Sequence, residues 1–224
     1  MVYNNQGIYN KNALVRFAVQ KDGRLTGGTL SLLRYVGIEA EFGRSVFECV
    51  DHSLELLFVR DDDIPNLVES GFADVGVVGE NIYREKNCKC SILLPLEFGQ
   101  CSLVLSVPVN SNINALSDLE GKKVATSHKN SAIRFLDKMK INNVSIVSMT
   151  GAAEIAPLIG YADAIIDITS TGNSLKLNDL RQVHILYESQ SVLIGNDNCD
   201  NKNKQLIIDS LIKKFKMYLN LCKH

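Results

Sequence analysis

Apolar and polar positions follow two alternating rhythms along this chain. Short apolar runs of strand length recur at 13–19 ("ALVRFAV"), 54–59 ("LELLFV"), 73–79 ("ADVGVVG"), 102–108 ("SLVLSVP"), 122–127 ("KKVATS"), 144–149 ("VSIVSM"), 163–168 ("DAIIDI") and 183–195 ("VHILYESQSVLIG"). Between them, apolar residues fall at helical spacing. "TLSLLRYVG" at 29–37 predicts a helix with Thr26 as its N-cap. "DIPNLVESG" at 63–71 predicts a short helix, with Pro65 in its first turn and Gly71 at its stop. Further helices are predicted at 81–86, 131–139, 152–161, 173–180 and 205–219, with Pro157 ending or kinking the third of these. In the last, Leu206, Ile207, Leu211 and Phe215 make one apolar stripe behind a polar loop at 196–204.

This alternation predicts an α/β fold with mostly parallel strands. The β runs near 96–108 and 183–195 are natural crossing points between two lobes. Lobe I is then 1–97 together with 183–224, and 98–182 is an inserted lobe II, with a ligand cleft between them.

A chain of 224 residues is long enough to bury a sizeable core. Its 24 basic and 25 acidic residues give a net charge of −1, which disfavours a dedicated nucleic-acid binder. No apolar run approaches the roughly 20 residues needed to span a membrane. The first dozen residues are polar and lack a signal-peptide layout, so a cytoplasmic protein is expected. The six cysteines then read as core or surface thiols. "CKC" at 88–90 has no second pair at metal-ligand spacing, so no metal site is expected there.

Four stretches carry candidate chemistry. In "DAIIDITSTGNS" an apolar strand runs into Thr169, Ser170, Thr171, Gly172, Asn173 and Ser174. Small hydroxyl residues and main-chain amides at a helix start suit a phosphate, and Asp167 at the strand end suits ribose hydroxyls. The same residues also build an ordinary capped turn. "VQKDGRLTGGT" places Lys21 and Arg24 between a strand and a helix, where they suit a diphosphate or stand as solvated charges. Arg60 follows the 54–59 strand, and strand C-termini in such folds face the cleft. Glu154 lies in the first turn of a predicted helix, where the dipole alone favours an acid. His128 reads as a neighbour of a helix cap. No Ser-His-Asp or Cys-His set is visible, so no covalent nucleophile is expected.

Together these stretches resemble the ATP phosphoribosyltransferase family, the first enzymes of histidine biosynthesis. The resemblance rests on "RFAVQKDGRLTGGTLSLLRYVGI", "RDDDIPNLVESGFADVGVVGENI", "GKKVATSHKNSAIRFL" and "TGAAEIAPLIGYADAIIDITSTGNSLKLNDL", in the family's order. It implies a two-lobed fold like type II periplasmic binding proteins, with the active site in the inter-lobe cleft. It implies transfer of the phosphoribosyl group of phosphoribosyl pyrophosphate to N1 of ATP, with release of pyrophosphate and with substrate-bound Mg²⁺. The 169–174 loop would hold the 5-phosphate, and Glu154 and Asp167 the ribose. Lys21, Arg24 and Arg60 would lie near the pyrophosphate and the ATP phosphates. Two features depart from the family pattern: the paired glycines of "TGGT" at 26–29, and Asn173. The family's long forms carry a C-terminal histidine-binding domain. Because this chain stops at "MYLNLCKH", the expectation is a short form, or a cut chain. The resemblance also implies a homo-oligomer and, for a short form, a regulatory subunit resembling histidyl-tRNA synthetase. The rival readings are a non-catalytic two-lobed binder of an amino acid or small anion, and a phosphoribosyltransferase with another acceptor.

Overall fold

A computed structural model describes residues 3–4, 7–8, 14–40, 45–49, 53–197 and 201–222. Ala13 of the first predicted strand, Cys199, and most of the polar N-terminus lie outside them. The chain divides into two compact units. One comprises Met1–Tyr83, Asn87–Gly99 and Gln190–His224; the other comprises Arg84–Lys86 and Gln100–Ser189.

The first unit begins with a small antiparallel pair, β1 (Tyr3–Asn4) and β2 (Gly7–Ile8). Its main strands are β3 (Val15–Gln20), β4 (Val46–Cys49), β5 (Leu54–Val59), β6 (Val75–Gly79), β7 (Ser91–Pro95) and β13 (Ser191–Gly195). They form a six-stranded sheet in the order β4-β5-β3-β6-β13-β7. The middle three, β5, β3 and β6, are parallel, while β4 and β13 run antiparallel to their neighbours. The helices are α1 (Thr26–Tyr35), α2 (Ile64–Glu69), α3 (Glu80–Glu85, whose last residues go with the other unit) and α7 (Lys202–Leu221).

Strand alternation sorts this core into two layers. Val15, Phe17 and Val19 of β3 pack with Leu32 and Leu33 of α1 and with Ile208, Leu211, Phe215 and Leu219 of α7. Ala18 faces the other way, toward Ile64 and Val68 of α2 and Ile82 of α3. Phe17 and Phe215 are fully buried with ring centroids 6.3 Å apart, and burying one such ring contributes about 1.5–3 kcal/mol.

The second unit has β8 (Cys101–Pro108), β9 (Lys123–Thr126), β10 (Ser145–Ser148), β11 (Ala164–Thr169) and β12 (Leu180–Ser189), in the order β10-β9-β11-β8-β12. Again three strands, β10, β9 and β11, are parallel, and β8 runs antiparallel to both its neighbours, β11 and β12. Leu103, Leu105 and Val107 pack against Ala132 and Leu136 of α4 (Lys129–Lys138). Val104, Ala125 and Ile165 pack on the opposite face against Ala156 of α5 (Ile155–Leu158) and Leu175 of α6 (Asn173–Leu177).

Several expectations change. Thr26 is the first residue of α1 rather than its cap; Leu25 takes the cap position, and the Thr26 hydroxyl donates to the Gln20 carbonyl instead. The 152–161 helix shrinks to the single turn of α5, because Gly151 and Ala152 at φ +93° and +49° hold its entry out of helical conformation. The 183–195 run is two strands in two different sheets. Helix α7 starts at Lys202, inside the expected loop, since the Asn201 side chain accepts from the Asn203 and Lys204 amides. Leu206 is 68% exposed, so the buried stripe of α7 begins at Ile208. Among the described residues, no helix is long and apolar enough to cross a membrane.

Candidate active site

Each unit ends its three parallel strands at one C-terminal edge, where open α/β sheets bind ligands. At the edge of the first unit, Lys21 and Arg24 follow β3, Arg60 follows β5, and Asn81 follows β6. The Lys21 amide donates to the Val59 carbonyl (2.8 Å), tying the loop after β3 to the end of β5. That loop folds on Gln20, whose Oε1 accepts from the Leu25 amide at 2.9 Å. The Arg24 guanidinium donates to the Gly99 carbonyl and to Asn81 Oδ1, the latter at 3.2 Å. Asn81 is buried, so it fixes the arginine from below. Lys21 and Arg60 are exposed. Among the described residues, none of these three cations is in an ion pair. Asp61–Asp63 form a short 3₁₀ turn leading into α2, where Pro65 sits in the first turn.

At the edge of the second unit, Glu154 follows β10, Ser127 and His128 follow β9, and Asp167 lies near the end of β11. Asp167 Oδ1 accepts from Ser127 Oγ (3.0 Å) and from the Ile168 amide (2.8 Å). His128 Nδ1 lies 2.9 Å from Ser127 Oγ and 3.6 Å from Asp167 Oδ1. Thr169 Oγ1 accepts from the Gly172 amide (3.0 Å), closing the loop on itself. Gly172 sits at φ +75° before α6, a left-handed conformation that strains other residues. Ser170, Thr171, Asn173 and Ser174 are exposed around it. Glu154 is half-buried on the same edge, and among the described residues no hydrogen bond joins it to 167–174. The N-terminus of α4 on this edge is filled by Glu85, which accepts from the Asn130 and Ser131 amides (2.9 and 2.8 Å).

Sequence reasoning missed Asn81, Gly99 and Ser127, and it read His128 only as a cap neighbour. His128 does hold the position before α4, but its side chain makes no cap bond and lies beside Asp167 instead. The available signal was position: "TSH" stands at a strand C-terminus, as Arg60 does. Among the described residues, no group of three or more His, Cys, Asp or Glu could hold a metal ion. Cys88, Cys90 and Cys101 are buried and Cys222 is exposed.

This architecture is that of two-unit ligand-binding proteins. A substrate-binding protein of an amino-acid ABC transporter shares the fold, with a TM-score of 0.60 and 15% identity, over 92% of this chain and 94% of that one. A nearer match is a chain of the ATP phosphoribosyl transferase (HisG:HisZ) complex from Thermotoga maritima. Its TM-score is 0.80 at 25% identity, covering 94% of this chain and 100% of that chain. The family model for ATP phosphoribosyltransferase matches residues 60–217. The ATP phosphoribosyltransferase of Phocaeicola vulgatus is 37% identical over 202 residues, 89% of this chain and 71% of the relative. The chain belongs to the ATP phosphoribosyltransferase family. It is a glycosyltransferase that moves the phosphoribosyl group of phosphoribosyl pyrophosphate to ATP, the first step of histidine biosynthesis.

Proposed function

We propose that the two C-terminal edges divide the substrates between them by charge. Thr169, Ser170, Thr171, Gly172, Asn173 and Ser174 take the 5-phosphate, and Asp167 with Glu154 takes the ribose. Lys21, Arg24 and Arg60 take the pyrophosphate and the ATP phosphates. The observation that carries this reading is that Lys21, Arg24 and Arg60 are in no ion pair among the described residues, with Arg24 fixed by the neutral acceptors Asn81 and Gly99. A preorganised cation aimed at a leaving group lowers a barrier because it needs no reorganisation as charge develops.

Departure of pyrophosphate leaves an oxocarbenium-like sugar. The acceptor, N1 of adenine, carries a lone pair and no proton at neutral pH, so positioning does the work that a general base does elsewhere. Mg²⁺ fits this donor set as a substrate-borne ion, since it is commonly held by phosphates, waters and one or two carboxylates. When bound it neutralises charge on the departing pyrophosphate. A regulatory subunit of the histidyl-tRNA-synthetase-like type completes the assembly, together with self-association in the cytoplasm. The likeness to a chain of the HisG:HisZ complex supports the regulatory subunit alone.

The test is a pyrophosphate-release assay with ATP and phosphoribosyl pyrophosphate, run with and without a HisZ-type subunit. Turnover should require both substrates and Mg²⁺. Turnover with a different acceptor and none with ATP, subunit present, would overturn the reading.

A further inference from the structure

The side chain of Asp167 is held asymmetrically. Both of its hydrogen bonds, from Ser127 Oγ and from the Ile168 amide, end on Oδ1. Its other oxygen, Oδ2, accepts none among the described residues, and the side chain is 19% exposed, enough for a ligand to reach. Proton counting gives the bonds a direction. A serine hydroxyl has one hydrogen, and a carboxylate only accepts. The Ser127 hydrogen therefore points at Asp167, and the Ser127 oxygen accepts from Nδ1–H of His128 at 2.9 Å. This arrangement uses the tautomer that carries its proton on Nδ1.

The foundation of this chain is rigid. His128 is 5% exposed, and its amide donates to Oγ1 of fully buried Thr126 at 2.9 Å. The helix it introduces is clamped at its first turn by Glu85. We propose that Ser127 and His128 are positioning residues that act through Asp167, occupying Oδ1 so that Oδ2 is aimed at the sugar hydroxyls of phosphoribosyl pyrophosphate. This rests on the reading that Asp167 meets the ribose. A hydrogen bond accepted by a carboxylate whose rotation is already fixed strengthens binding, because the side chain has no freedom left to lose.

The test is calorimetric titration of the protein with phosphoribosyl pyrophosphate and Mg²⁺, which needs no turnover. Ser127→Ala should weaken binding about five- to tenfold, the net value of one ordinary intramolecular hydrogen bond. Ser127→Thr, which keeps the hydroxyl, and His128→Asn, which keeps a donor near the Nδ1 position, should stay within about twofold of wild type. His128→Leu should match Ser127→Ala, and thermal unfolding checks that each variant folds. The deciding measurement is the double variant: adding Ser127→Ala to Asp167→Asn should cost nothing further, because the two act as one unit. If Asp167→Asn binds like wild type, the ribose reading fails. If Asp167→Asn is weakened but Ser127→Ala either has no effect or adds its full effect to it, the positioning role fails and the ribose reading stands.

Discussion

In the first unit the central parallel strand, β3, hands the chain to a loop bearing Lys21 and Arg24; in the second, the central strand β9 hands it to Ser127 and His128. The scaffolds match, three parallel strands beside antiparallel neighbours, but one edge sets Lys21, Arg24 and Arg60 among the aspartates Asp22 and Asp61–Asp63, and the other a carboxylate among hydroxyls. Both edges solve the same physical problem. Arg24 is oriented by a main-chain carbonyl and an amide oxygen, and Asp167 by a hydroxyl and a main-chain amide. Neutral partners fix direction without cancelling charge, so the charge stays available to a substrate. A structural ion pair does the reverse: Lys204 with Asp74, at 2.9 Å and mostly buried, spends both charges on holding α7 to the sheet.

The largest expected effect tests the cationic edge. Arg24→Ala should lower kcat/KM on the order of 10²–10³, as loss of one preorganised electrostatic contact does, and kcat should carry most of it. Arg60→Ala should cost about tenfold or more in the same assay. On the other edge, Asp167→Asn should cost about tenfold or more in kcat/KM, chiefly through KM for phosphoribosyl pyrophosphate. Equal kcat and KM changes in Arg24→Ala and Asp167→Asn would erase the distinction between the edges.

Much of this was legible in the sequence because strand periodicity and strand-end position survive without tertiary information. The apolar run at 54–59 coincides with β5 to the residue, and Lys21, Arg24 and Arg60 stand out because they follow apolar runs, Asp167 because it lies at the end of one. What was missed lies in long-range pairing. Nothing in "GEN" says that Asn81 bonds Arg24, 57 positions away, or that Ser127 bonds Asp167, 40 positions away. The strands β4 and β7 were missed for a related reason: they are edge strands with weak local patterns. The break between β12 and β13 was invisible because both halves are apolar and only their partners differ.

The paired glycines of "TGGT" sharpen the comparison at the level of stability. They looked like a weak helix start, yet they are unlike each other. A Cβ on Gly28 would lie 2.2 Å from the Phe98 ring, whereas one on Gly27 would meet nothing within 4 Å. Phe98 precedes Gly99, the carbonyl anchor of Arg24, so α1 and that anchor are packed through Gly28. Gly28→Ala should lose about 1–3 kcal/mol in urea melts by overpacking, and should lower kcat as the anchor shifts. Gly27→Ala, in the same turn, should gain about 0.5–1 kcal/mol with little change in activity. The contrast disappears if the two variants behave alike.

The smallest effect probes the packing behind Asn81. Cys90 shares a buried cluster with Ile82 of α3, the residue next to Asn81. Burial, then the adjacent Cys88, push the Cys90 thiol up to about 12. The thiolate is the species that alkylates, so at pH 8 only about one Cys90 in 10⁴ is reactive. Iodoacetamide at pH 8 should therefore label exposed Cys222 and spare Cys90 in the folded protein, as peptide mass spectrometry would read. The same shift has a stability counterpart whose sign is fixed. A folded-state value above the ordinary 9.0 means that the native state holds the proton more tightly. The stabilisation is complete below pH 9 and is lost as pH rises toward 12. The urea midpoint should fall across that range, and fall less in Cys90→Ala. Rapid labelling of Cys90 at pH 8 would mean that α3 is loosely seated, and Asn81 could not then hold Arg24 as rigidly as Ser127 holds Asp167.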